Sequence, residues 1–228
     1  MVVGRSLYLS GTDIKKLPAN LTVNGWLSLA DTKIYQLLKN YNGTFNNLNL
    51  TFYSIKKLPD NIRIRNDLNL EFSDIKKLPD NLYVGDTLDI SKTKIKSLPA
   101  GLKVGKCILL YDTKISKLPN NLKLSHGINL KNTAIKSLPE NMDVRWLRLS
   151  LNKIKNITYR KNCTSKKKTI FAAYLHEEFK IFMNEFLIGN LEQFEQYADK
   201  EFYKPEASEL KQAASDCVAQ LQQKLSVK

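Results

Sequence analysis

Two apolar residues separated by a single position recur along the first two-thirds of the chain: Leu7/Leu9, Leu27/Leu29, Leu48/Leu50, Leu68/Leu70, Leu88/Ile90, Ile108/Leu110, Ile128/Leu130 and Leu147/Leu149, at intervals of 19 to 21 residues. Three residues after each pair stands a polar or hydroxyl side chain (Thr12, Thr32, Tyr53, Ser73, Thr93, Thr113, Thr133, Asn152), and two residues later an isoleucine (Ile14, Ile34, Ile55, Ile75, Ile95, Ile115, Ile135, Ile154). Most units then add Leu-Pro, from Leu17-Pro18 to Leu138-Pro139. One such unit cannot bury its own apolar edge. Stacked copies put like residues on like, so the split pair becomes a short parallel strand while the Ile and Leu columns fill a continuous core. Proline keeps the return segment out of a sheet. The Thr column is expected to bond the turn backbone from coil to coil. The pattern predicts an α/β-type repeat solenoid, right-handed, of about eight coils over residues 1–160.

Residues 161–228 change character. KNCTSKKK (161–168) reads as a basic linker or turn, and the apolar run TIFAAYLHEEFKIFMNEFLIGN as a helix ending near Gly189. LEQFEQYADKEFY reads as a second helix, and Pro205 suits the first turn of a third, with Leu210, Ala214, Cys217, Leu221 and Leu225 on one face. The whole is expected to form a C-terminal α-helical cap or subdomain, with Phe171, Leu175, Phe179, Phe182 or Phe186 covering the last coil because repeat arrays need closed ends, the alternative being a separate partner-binding helical bundle. The N-terminal edge strand at Leu7 has no polar cap ahead of it, so that edge is expected to be frayed, covered by the tail of another chain, or paired in a homodimer.

The units resemble the leucine-rich repeat. Its spacing of apolar positions and asparagine is met by Val144, Leu147, Leu149, Asn152, Ile154 and Ile157, while most other units carry Thr in place of Asn. Short units with Leu-Pro look most like the bacterial leucine-rich-repeat effectors of type III secretion, the YopM-like and IpaH-like proteins, and Thr-type units also look like those of bacterial and phage proteins. The resemblance covers residues 5–157. It implies a protein-interaction module, an effector or a phage-borne inhibitor or scaffold, that binds a protein partner on the concave face of a parallel sheet. IpaH-like proteins add a catalytic cysteine in a large ligase domain, for which the 68 residues after the repeats leave no room.

Composition narrows the chemistry. Three cysteines (Cys107, Cys163, Cys217) make no disulfide framework and suit a reducing, cytoplasmic setting, bacterial or host. No secretory leader opens the chain, and no apolar run reaches the roughly 20 residues of a membrane helix, so a soluble protein without a transmembrane segment is expected. His126 and His176 have no partners at metal-ligand spacing, and no phosphate-binding glycine loop is present; no cofactor and no enzymatic activity are expected. Cys163 lies among Lys161, Lys166, Lys167 and Lys168, which are expected to favour its thiolate, as a flexible free thiol without a catalytic role.

The net charge of +14 belongs entirely to the repeats, since residues 161–228 hold ten cations and ten acids. Three columns beyond the strand hold fourteen lysines, Lys56, Lys57, Lys76, Lys77, Lys94, Lys96, Lys114 and Lys117 among them. This edge reads either as a solvated face or as an alternative binding surface for nucleic acid or another anionic surface. The columns around the strand are different. Trp26, Asn49, Phe52, Asn69, Glu71, Phe72, Asp89, Leu109, Tyr111 and Arg148 combine apolar anchors with hydrogen-bonding groups, as a protein-binding surface does. The same pattern also allows Phe52 and Phe72 to turn inward as core.

Overall fold

A computed structural model describes residues 1–18, 20–29, 38–39, 44–52, 54–60, 62–120 and 122–226. Each split apolar pair sits on a rung of one long sheet: β2 (Leu7–Tyr8), β4 (Trp26–Ser28), β5 (Asn47–Asn49), β7 (Leu68–Asn69), β9 (Thr87–Asp89), β11 (Cys107–Leu109), β12 (Gly127–Asn129) and β13 (Trp146–Arg148). These eight rungs pair parallel in the expected register, with Leu48 beside Leu68, Leu68 beside Leu88 and Leu88 beside Ile108. Stacking puts identical side chains one above another, so Leu48, Leu50, Leu88, Ile90, Ile108 and Leu110 are fully buried. The isoleucine column closes the core from the opposite wall through Ile75, Ile95 and Ile115.

A second wall comes from short strands on the return path. β1 (Val2–Val3) pairs with β3 (Thr22–Val23), and β6 (Arg63–Ile64), β8 (Tyr83–Val84) and β10 (Lys103–Val104) form a three-stranded parallel sheet. The turns leaving this wall bring successive coils close together. A Cβ at Gly85 would lie 1.8 Å from the Arg65 carbonyl oxygen, and one at Gly105 1.9 Å from that of Gly85, so only glycine fits.

The C-terminal segment corrects the expected all-helical cap. Its first apolar run is not a helix. It forms β15 (Ile170–Leu175), β16 (Glu178–Met183) and β17 (Phe186–Gly189), an antiparallel meander that begins by pairing β15 with β14 (Ile157–Arg160). The reason is burial on both faces. Phe171, Ala173 and Phe182 join the solenoid core, whereas Ile170, Ala172, Ile181 and Met183 face the helices. A strand covered on both sides loses its alternation of apolar and polar residues. His176 (φ 52°) and Glu177 (φ 62°), the two central residues of the first hairpin turn, and Asn184 (φ 57°), in the second, mark the breaks between the strands. Of the two readings of KNCTSKKK, linker or turn, the structure has the turn, a hairpin loop between β14 and β15 with the Cys163 amide donating to the Lys168 carbonyl at 2.9 Å.

β17 runs antiparallel to β13 and ends the parallel stack: the Leu147 amide donates to the Glu185 carbonyl at 2.7 Å, and the Leu187 amide to the Arg145 carbonyl at 2.9 Å. The expected second and third helices are present as α1 (Leu191–Glu201), started by an Asn190/Gln193 capping box, and α2 (Lys204–Ser226). The α2 face carrying Leu210, Ala214, Cys217 and Leu221 is buried as expected. The helix is anchored by Thr158, whose hydroxyl donates to the Cys217 carbonyl.

Candidate functional site on the sheet face

In four of the described coils the chain leaves its rung through a type II turn. In the coil of β7 the Ser73 amide donates to the Leu70 carbonyl at 3.0 Å, and the turns at 9–12, 110–113 and 130–133 repeat the bond at 3.2 to 3.3 Å. Such a turn needs a left-handed residue at its third position, for which glycine or asparagine is the ordinary choice. This chain places Gly11 there, but also Phe52 (φ 63°), Phe72 (φ 59°), Lys92 (φ 54°), Asp112 (φ 61°) and Asn132 (φ 59°). The conformation aims each amide at the following coil. Phe52 donates to the Glu71 carbonyl at 3.0 Å, Phe72 to Ser91 at 3.2 Å and Lys92 to Tyr111 at 2.8 Å. These interstrand bonds offset a left-handed penalty of about 1–2 kcal/mol per L-residue.

Because the left-handed residues are in register, their side chains form a column on the surface. Phe52 and Phe72 face outward, 72% and 43% exposed, which settles their direction. Their rings stack with centroids 4.6 Å apart and planes 12° from parallel. The Lys92 ammonium lies 4.0 Å from the centroid of the Phe72 ring and 5.5 Å from that of Tyr111, and Glu71 holds it by an ion pair of 3.2 Å. A ladder of Phe52, Phe72, Lys92 and Tyr111 results, with half-buried Leu109 two residues before Tyr111 in the same coil.

The polar members have a second task. The Oδ1 atoms of Asn49, Asn69 and Asp89 each accept the backbone amide two residues on, from Thr51, Glu71 and Ser91, all at 2.9 Å. Their side chains therefore set the geometry that presents the ladder. Burial pushes the Asp89 carboxyl above the usual carboxylate range, against the opposing bonds from Ser91.

The remaining predicted residues lie apart. Trp26 is a half-buried side chain on β4, with its backbone amide bonded to the Ser6 hydroxyl at 3.0 Å. Arg148 stands at the far end, where Nε and a terminal nitrogen each reach a Glu185 carboxylate oxygen at 2.7 Å, and that pairing raises the guanidinium pKa. Glu185 and Asn184, in the turn between β16 and β17, wall off a hollow of about 590 Å³ reaching back to Tyr111 and Lys131. The sequence places Lys92 in the columns around the strand but does not single it out as a binding residue, and Glu185 is missed altogether. The alternation of charge between Glu71 and Lys92 on neighbouring coils was the available signal for the first; nothing in the sequence pointed to the second.

The threonine column bonds differently from expectation. Thr12, Thr93, Thr113 and Thr133 donate from Oγ1 to the carbonyl three residues back in their own coil, at 2.7 to 2.8 Å, and not across coils. Ser73, in the same column, is buried with an unpartnered hydroxyl. Cys163 also departs from expectation. Burial raises its thiol pKa, opposing the thiolate that the neighbouring lysines were expected to favour, and its Sγ donates to the Arg160 carbonyl at 3.3 Å.

The lysine edge is a separate surface. Lys56, Lys57, Lys76, Lys77, Lys94, Lys96, Lys114 and Lys117 are all exposed, and Lys94 is paired with Asp74 at 2.6 Å. That bond holds the Asp74 carboxyl below its ordinary pKa. Among the described residues no group of His, Cys, Asp and Glu could hold a metal ion, and no helix is long and apolar enough to cross a membrane. No protein-family model, curated protein or solved structure matches this chain.

Proposed function

We propose that the chain is a leucine-rich-repeat protein-binding module that inhibits or scaffolds a protein partner docked on the exposed face of the long sheet. One observation carries the reading: two phenylalanines occupy exposed left-handed positions where other coils use Gly11, Lys92, Asp112 and Asn132. A large apolar side chain there adds backbone strain and exposed hydrocarbon at once, a combination that persists where the surface is used. Around the pair stand a held cation, an aromatic ring and an acid, the ingredients of an interface centre. The mixture of Glu71 and Asp89 with Lys92 disfavours a polyphosphate on this face.

Affinity capture from lysate, with and without nuclease, tests the reading. Tyr111→Ala and Leu109→Glu are each expected to weaken capture by about 1–3 kcal/mol, the range of interface hot spots. Capture should survive nuclease. Capture that disappears with nuclease, or that survives Leu109→Glu but not charge reversal at Lys56, Lys76 and Lys96, would transfer the function to the lysine edge.

A further inference from the structure

On the lysine-bearing side, the position after the threonine column reads Asp74, Lys94, Lys114, Ala134 and Lys153 in successive coils. Ala134 is the small residue in this series, and its coil carries a hollow of about 490 Å³ over the alanine. Lys114, Lys136, Lys153 and Lys155 line the hollow, and no carboxylate is among its lining residues. Upstream, by contrast, Lys94 is neutralised by Asp74 at 2.6 Å. We infer that the Ala134 notch is a binding site for a compact phosphate-bearing anion, separate from the protein-docking face.

Coils stack about 4.8 Å apart, so Lys114 and Lys153, on either side of Ala134, are rooted roughly 10 Å from each other. That separation accommodates one phosphoryl group bridged by two ammonium contacts of about 2.8 Å each. Lys136 and Lys155 supply two further charges from the next column. The local backbone donors are engaged elsewhere, Ala134 to the Ile115 carbonyl at 3.0 Å and Lys155 to that of Lys136 at 2.7 Å. Recognition therefore falls to four flexible point charges. Lysine ammoniums of this kind suit a tetrahedral, multiply charged oxyanion better than a planar carboxylate, which favours the guanidinium fork.

Isothermal titration calorimetry of the full chain with tripolyphosphate, at about 50 mM salt where electrostatic binding is strong, is expected to show saturable binding of one anion per chain. Ala134→Leu keeps every charge and fills the notch; it should weaken binding by about tenfold or more, and Lys153→Gln by a similar factor. The paired change Lys56→Gln with Lys76→Gln removes more charge elsewhere on the edge and should leave affinity within about twofold. Vesicles carrying a phosphoinositide identify the source: binding that depends on Ala134 assigns the phosphate to a lipid headgroup, and binding of tripolyphosphate alone assigns it to a free anion. No saturable binding, wild-type affinity in a folded Ala134→Leu chain, or an equal loss in the Lys56/Lys76 variant would overturn the inference.

Discussion

Phe52→Asn separates a structural phenylalanine from a presented one. Phe52 has φ 63° and is 72% exposed, so little more than a quarter of it is covered. Its removal forfeits one stacked pair with Phe72, about 0.5–1.5 kcal/mol, and roughly a quarter of the 1.5–3 kcal/mol that full burial of such a side chain is worth. Against this stands part of the 1–2 kcal/mol left-handed penalty, which asparagine tolerates and which Asn132 meets at φ 59° in the same column. The terms nearly cancel, and the variant should unfold in urea within about 1 kcal/mol of the parent. For a chain of this size that corresponds to a melting shift below about 4 °C. Partner capture by the same variant should fall. A loss of more than about 2.5 kcal/mol, approaching the 3–5 kcal/mol of a core Phe truncation, would refute the reasoning and make the pair a packing element.

Three further outcomes follow from the same geometry. Asp89→Asn should stabilise the fold near neutral pH, because burial raises the native carboxyl pKa above its unfolded value and so makes the charged form unfavourable; the advantage should fade as pH falls through that raised pKa, and urea midpoints at about pH 7 and pH 3.5 would show it. Asparagine already fills the equivalent place at Asn49, Asn69 and Asn129, so a less stable variant at neutral pH would mean that attraction from Lys92 outweighs burial. Ser73→Thr should add roughly 1 kcal/mol in denaturant titration by giving the unpartnered hydroxyl the carbonyl bond its neighbours make. Cys217 is buried with its thiol pushed up to about 11, so an aromatic disulfide reagent at about pH 8 should modify it only at the rate of unfolding, and rapid labelling of native protein would contradict the packing of α2.

The stacked register was legible because a solenoid repeats its physics. Eight split pairs at near-constant spacing admit one way of placing Leu on Leu, and the rungs follow it. Phe52 and Phe72 could be placed in a column but not turned, since phenylalanine carries no left-handed preference; only comparison with Gly11, Asp112 and Asn132 in the same column hints at the turn. The meander at 170–189 was hidden by its own burial, which removed the two-residue period, and by a His-Glu turn that lacks the usual Asn-Gly. The threonine bonds were misassigned because a hydroxyl three residues after a carbonyl reaches back within its own coil before it reaches the next. Cys163 shows that neighbours in sequence need not be neighbours in field: burial, not the lysine run, sets its thiol.

Docking of a protein on the sheet face is tested most directly by photocrosslinking in cells, with p-benzoylphenylalanine placed at Tyr111 in one chain and at Lys77, on the lysine edge, in another. The Tyr111 probe should give one discrete protein adduct that survives nuclease, and the Lys77 probe none. Adducts from Lys77 with none from Tyr111, or an adduct that nuclease removes, would contradict it.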